Sequence, residues 1–313
     1  MCKVIRIASF IIFVLLSSCS EENVPVLGGT FETMGTSVFV KPKKALATVE
    51  EVFTRVDCEM SEWKSESPLS QINRSAGKTS IQCSDSLVAA ITKSLFVAEI
   101  TKGAFDPTWA CMWDIWDFNT SIVPGKQEIN SRLPFVDWEK VEVRGNFVFL
   151  QKEGMLLGLG GIAKGVALDD ARETLLLQGV NDFMLQCGGQ ILAQGKERVI
   201  GIRNPDGLPH EIIGKVSIKN QSISTSGNYE KYFILDDIRY HHILDPRTGY
   251  PAIGMKSVTV VTENAALGDA LSTALFVMGT GKGMLFVERT VGVEVLFIDS
   301  ESVIHKSSGF ILN

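Results

Sequence analysis

The sequence predicts an α+β fold in a single domain. Three observations carry that prediction. Helix-like and strand-like stretches mix without the regular alternation of a doubly wound sheet. No composition shift marks a domain boundary after residue 30, and no internal repeat or low-complexity segment occurs. The chain, at 313 residues, is also long enough to bury a substantial core.

At the N-terminus, Lys3 and Arg6 form a basic start, and the apolar run from Ile7 to Leu16 follows. That run is too short to span a bilayer stably but suits the core of a signal peptide. It closes at Leu16-Ser17-Ser18-Cys19, which resembles a bacterial lipobox. Residues 1–18 are therefore expected to be a signal peptide, 19–29 a lipidated Cys19 with its tether, and 30–313 the folded domain. An ordinary secretory signal with a chance cysteine is the alternative, and both readings export the mature chain. Removing Lys3 and Arg6 takes the formal charge from -6 to -6 - 2 = -8, an acidic balance that argues against nucleic acid as a partner. No second apolar stretch reads as long enough to be a membrane helix. Cys58, Cys83, Cys111 and Cys187 lack CxxC spacing and read as separate buried thiols rather than a zinc or redox motif.

Thr30 to Val40 reads as one strand with Met34-Gly35-Thr36 at its middle. Ala45 to Glu59 reads as a helix with Val49, Val52, Phe53 and Val56 inward. A serine-rich polar loop is expected from Ser61 to Ser75. Asp85 is placed as the cap of a helix running to Thr101, with Gly103 at its C-terminal stop. Aromatics crowd Trp109 to Phe118 as core or pocket wall. Val141 to Leu150 alternates around Gly145-Asn146 as a hairpin. Gly165 to Gln178 is a predicted helix, and Phe183 to Leu192 a predicted strand that enters a glycine pair. Further strands are expected at Val199–Arg203, Lys215–Ile218, Lys231–Leu235, Lys256–Val261 and Val293–Ile298. Ala265 to Met278 reads as a strongly apolar helix.

Three constellations can carry chemistry. The first is Leu157-Gly158-Leu159-Gly160-Gly161-Ile162-Ala163-Lys164-Gly165, just before a predicted helix. Its bare backbone suits phosphate at a helix N-terminus, with Lys164 adding positive charge, or else simply makes a tight turn. The second is Asp269 and Thr273, four apart on one helix face. A carboxylate with a hydroxyl suits hard oxygen ligation of Mg²⁺, or else the aspartate stabilises the helix N-terminus. The third is His241-His242-Ile243-Leu244-Asp245-Pro246-Arg247-Thr248-Gly249, a possible base beside a tight turn, or else a histidine in a surface or core role. Histidine metal sites are not expected, because none of the four histidines has ligand spacing. Trp63, in its polar loop, suits stacking on a flat ring.

Taken in order, these motifs resemble the ApbE family, the FAD:protein FMN transferases. The match runs from Met34-Gly35-Thr36 through Met60-Ser61-Glu62-Trp63 with Ser70-Gln71-Ile72-Asn73, and Gly103 to Thr108 (GAFDPT). It continues through Gly160 to Gly165 (GGIAKG), Ile223 to Phe233, His242 to Pro251, and Asp269 to Leu275 (DALSTAL). The resemblance implies a T-fold-related α+β catalytic domain with mixed sheets and packed helices. By position it implies FAD contacts at Met34, Trp63, Ala104, Phe105, Asp106, Lys164 and Ile243. It implies Mg²⁺ held by the Gly161 carbonyl, Asp269 and Thr273, with His242 as the catalytic histidine.

The implied reaction is Mg²⁺-dependent transfer of FMN from FAD to a Thr or Ser hydroxyl of a target flavoprotein, releasing AMP. Respiratory or other exported flavoprotein complexes are the implied acceptors, and Cys19 would anchor the enzyme to the envelope membrane, facing the periplasm. Two rivals share the pocket: an FAD pyrophosphatase with water as acceptor, and a non-catalytic FAD-binding lipoprotein. The sequence departs from the family's pattern at Trp63, where a tyrosine is usual. It departs again at Gly158, which replaces the aspartate of LDLGG, and at Gln190, which replaces the acid of GGD.

Overall fold

A computed structural model describes residues 28–118 and 120–313. The expected signal peptide, Cys19 and most of the tether lie outside the described residues. In chain order the regular elements begin with β1 (Gly29–Thr33), β2 (Thr36–Lys41), α1 (Leu46–Met60), α2 (Pro68–Arg74), β3 (Ile81–Gln82) and α3 (Asp85–Ile100). Next come α4 (Lys126–Arg132), β4 (Val141–Arg144), β5 (Phe147–Leu150), α5 (Ala163–Leu177), β6 (Phe183–Cys187), β7 (Gln190–Gln194), β8 (Arg198–Arg203) and β9 (Ile212–Ile218). The chain closes with β10 (Gln221–Gly227), β11 (Tyr232–Leu235), β12 (Ile238–His241), β13 (Met255–Thr262), α6 (Ala265–Val287), β14 (Val293–Asp299) and β15 (Ile304–Lys306).

An eight-stranded antiparallel sheet in the order β1-β2-β6-β7-β10-β13-β14-β15 organises the molecule. Side chains alternate across it, as the pleat requires. On one face Val38, Val40, Leu185, Leu192, Val258 and Val260 meet α1, α5 and α6 in the main core. On the other, Ala193, Ile223, Val261 and Leu296 meet the β8–β9 ribbon in a second core. The aromatic segment joins a third cluster, in which Trp116 and Phe118 pack near Phe233 of the β11–β12 ribbon. The mixture of sheets and helices is the expected α+β class.

Several sequence expectations need correction. The stretch from Thr30 to Val40 is a hairpin, because Met34 and Gly35 both take left-handed φ (49° and 71°) and turn the chain in two residues. Phe183 to Leu192 is likewise two strands, reversed at Gly188 (φ 57°) and Gly189. The polar loop holds a helix, α2, where Ser67 accepts a hydrogen bond from the Ser70 N–H and Pro68 opens the first turn. The cap of α3 is Ser84, not Asp85, which sits one residue inside as a first-turn acid. Strands β3, β10, β12 and β15 and helix α4 add to the elements expected from the sequence.

Helix α6 also corrects the expectation of no further long apolar stretch. At 23 residues it is long and apolar enough by composition to cross a membrane. Here it packs on β10, β13 and β14, and Gly279 (φ 71°) breaks its helical backbone. Of the four cysteines among the described residues, three are buried thiols as expected, but Cys58 is exposed.

Candidate active site

The site forms where α5 and α6 converge at their N-termini. Gly165 makes this approach possible: a Cβ there would fall 2.3 Å from the Ala265 carbonyl oxygen. The helices then exchange carboxylates. Asp169 of α5 accepts from the N–H groups of Ala265 and Ala266 (3.0 and 2.9 Å), which open α6. Asp269 of α6 accepts from the Gly165 N–H (3.3 Å), in the first turn of α5. Each acid satisfies donors that a helix start leaves free. Asp269 thus steadies the N-terminus of α5 rather than that of its own helix, and it also lines a cavity.

That cavity has a volume of about 300 Å³. One part of its wall is Ala104, Phe105, Asp106 and Ile243; another is Gly161, Lys164, Gln190, Asp269, Thr273 and His242. A second cavity of about 340 Å³ is lined by Met34, Glu62 and Trp63, and meets the first at Gly160 and Lys164. Every site residue expected from the sequence, apart from Cys19, therefore lines one of two adjoining cavities.

The polar groups of the first cavity are held in different ways. Asp106 is spent on its own loop: its carboxylate accepts from the Thr108 N–H and hydroxyl (2.8 and 2.6 Å) and from the Trp138 N–H (3.3 Å). Burial raises its pKa, against those hydrogen bonds. Lys164 donates to the Gly160 carbonyl (3.0 Å), and the negative charge of Asp269 raises its pKa despite burial. The Thr273 hydroxyl lies 3.4 Å from Ser226 Oγ, and Ser226 in turn lies 2.8 Å from Ser272 Oγ.

The two histidines differ. His241 is buried, with Nε2 2.9 Å from the Ala252 carbonyl while its Nδ1 accepts from the Ile243 N–H. That bonding fixes a neutral ring in a structural role. His242 faces the cavity, and its Nδ1 lies 3.2 Å from the Lys231 carbonyl. A proton on Nδ1 satisfies that carbonyl and leaves Nε2 as an acceptor. Burial pushes both rings down to a pKa of about 4, so both are neutral at pH 7.

The fit for a cation can be judged from the donors. A Cβ on Gly161 would stand 3.8 Å from Thr273 Oγ1, so the bare backbone of Gly161 runs beside the α6 face that carries Thr273 and Asp269. Backbone carbonyl, carboxylate and hydroxyl form an all-oxygen set, which fits a hard ion such as Mg²⁺. Among the described residues there is no cluster of three or more His, Cys, Asp or Glu that could hold a metal by itself.

Sequence reasoning assigned no role to Glu62. Its carboxylate stands over the glycine turn, and burial raises its pKa against the opposing pull of nearby backbone N–H groups and of Lys164. Trp63 is 69 % exposed and sets its ring edge-on to Trp113 at 5.3 Å. Lys231 Nζ lies on the Trp113 ring, 5.1 Å from its centroid, so the rim of the site is aromatic and cationic together.

The backbone of the described chain superposes closely on solved members of one protein family. The chain belongs to the ApbE family, whose defining sequence pattern matches residues 34–297. It is 32% identical over 291 residues to the FAD:protein FMN transferase of Treponema pallidum, covering 85% of this chain and 80% of that protein. Among solved structures, the ApbE protein of Thermotoga maritima superposes with a TM-score of 0.83 at 32% identity, over 90% of this chain and 96% of that one. The flavin transferase ApbE of Vibrio cholerae gives 0.81 at 26% identity, over 91% and 98%.

Proposed function

We propose that this protein is an FAD:protein FMN transferase, which moves FMN from FAD to a serine or threonine hydroxyl of an acceptor flavoprotein and releases AMP. The observation that carries this reading is His242, a neutral ring held through Nδ1 with Nε2 free, in one cavity with Lys164, Asp269 and Thr273.

The two cavities suit the two halves of FAD. Phe105, Ala104 and Ile243 offer an apolar wall to the adenine. Trp63 and Met34 offer the second cavity to the flavin ring, where stacking contributes about 0.5–1.5 kcal/mol beyond buried area. The diphosphate then lies at their junction, where Lys164 and the N-terminus of α5 favour negative charge.

His242 Nε2 takes the proton from the acceptor hydroxyl as the oxygen attacks the FMN phosphorus. A phosphoester bond forms to the acceptor, and the bond from that phosphorus to the bridging oxygen breaks. AMP leaves with that oxygen and takes up one proton equivalent. Gly161, Asp269 and Thr273 would hold Mg²⁺, which when bound neutralises diphosphate charge and steadies the leaving AMP. We further propose that Cys19 carries lipid and sets the domain on the periplasmic side of the envelope, among exported flavoprotein acceptors of respiratory or other complexes.

The test incubates the protein lacking residues 1–19 with FAD, Mg²⁺ and a candidate acceptor domain, alongside His242→Ala. Fluorescent flavin retained by the denatured acceptor, with AMP in solution, supports the transferase. His242→Ala should lower the rate about 10²- to 10⁴-fold. AMP and free FMN without labelled acceptor, across a panel of exported flavoproteins, would sink it in favour of FAD hydrolysis.

A further inference from the structure

Gln190 opens β7 directly after the Gly188–Gly189 reversal and lines the first cavity. Its side chain is buried, at 2 % exposure, yet neither Nε2 nor Oε1 has a hydrogen-bond partner. Buried amides are almost always satisfied, because an unpaired one carries the full cost of leaving water. The sheet does not use this one. Ser224 faces Gln190 in register across the β7–β10 pair, and its hydroxyl is unpartnered as well.

Position and chemistry indicate what the amide awaits. Ser224, the cross-strand partner of Gln190, lies against the first turn of α6 beside Asp269, since a Cβ on Gly268 would fall 3.1 Å from Ser224 Oγ. Gln190 therefore belongs to the phosphate end of the cavity rather than to the wall of Phe105 and Ile243. A sugar phosphate presents acceptors and donors side by side, and a carboxamide sets a donor NH₂ beside an acceptor carbonyl. An acid in this place would stand with Asp269 against the diphosphate; the amide adds a donor and no charge.

We propose that Gln190 is a substrate-binding residue, its Nε2 donating to a diphosphate oxygen and its Oε1 accepting from a ribityl or ribose hydroxyl of the bound flavin dinucleotide. The inference rests on the FAD reading above. It implies that the free protein carries an unmet polar group whose partners arrive with the ligand, so stability is given up for affinity.

The test measures FAD affinity by calorimetric titration, and unfolding of the ligand-free protein, for the parent, Gln190→Leu and Gln190→Glu. Gln190→Leu removes the unmet group and should leave the ligand-free Tm unchanged or raise it by about 1–3 °C. The same variant should weaken FAD about tenfold. Gln190→Glu, close to glutamine in shape, should weaken FAD at least as much, by losing the donor and adding a charge. A lower ligand-free Tm for Gln190→Leu would show the amide already satisfied and overturn the proposal. So would an FAD affinity within twofold of the parent in either variant. A parent that binds no FAD overturns the flavin reading and this inference with it; a parent that binds FAD beside unimpaired variants overturns this inference alone.

Discussion

The Glu62 carboxylate stands over the backbone of Gly158, with Oε1 3.6 Å from the position a Cβ on that glycine would take. It is as close to Gly160, at 3.5 Å from the corresponding point. Position 158, where the resemblance implies an aspartate, is glycine, and an acid from the α1–α2 loop reaches the same turn.

That relationship predicts a coupled pair. Gly158→Asp brings a Cβ to 2.9 Å from the Ala110 Cβ and sets a second acid beside Glu62, so it should destabilise by about 1–3 kcal/mol. Glu62→Thr should relieve part of that loss, and a double-mutant cycle on thermal unfolding reads it. Strictly additive effects would mean that the two positions do not share the space.

The buried histidines predict an acid-sensitive fold. In the unfolded chain each ring protonates near its ordinary pKa of 6.5, whereas the folded protein holds both near 4. Their contribution is thus fully present above about pH 6.5 and is lost as pH falls from there toward 4. Loss on the order of 1–3 kcal/mol per ring should lower the Tm between pH 7.5 and pH 5. His241→Gln, which keeps a donor for the Ala252 carbonyl, should flatten that fall; an unchanged slope would contradict burial as its origin.

Asp169 predicts a stability effect at a distance from substrate. Its replacement by alanine strands two buried N–H groups at the start of α6 and leaves Arg172 without its 2.7 Å ion pair. The expected cost is about 3 kcal/mol or more, read as a lower denaturant midpoint. A midpoint unchanged from the parent would show that α6 finds its start without help.

Asp269 and Thr273 test the proposed cation corner. Asp269→Ala and Thr273→Val should each cut FMN transfer about 10²-fold or more, because both remove oxygen donors from the proposed cation corner. Chelation with EDTA should reduce the parent to a similar level, and Mg²⁺ should restore it but not Asp269→Ala. Full activity of the parent in chelator would remove the metal from the mechanism.

Much of this was legible in the sequence because the motif-bearing residues are local. GGIAKG announces both the glycine turn and the helix that follows, and Asp269 with Thr273 announces a helix face. What escaped was set by tertiary contact or unusual backbone. A methionine at positive φ gave no warning that Met34-Gly35 reverses the chain, because non-glycine residues rarely take that conformation. The Asp169 clamp joins positions 96 residues apart, and Glu62 reaches Gly158 from another element, so neither leaves a periodic trace. Ser67 and Ser84 were readable as caps in kind, but not in place, among so many serines.

The exchange of carboxylates between α5 and α6 has a mechanical consequence. Because each helix holds the other's first turn, the wall bearing Lys164 and the wall bearing Asp269 form a single stiff corner. The wall outside that corner includes the Trp63 indole, which is 69 % exposed and meets the Trp113 ring edge-on. Geometry is held hardest where Lys164 and Asp269 meet, and least where the Trp63 indole stands in solvent.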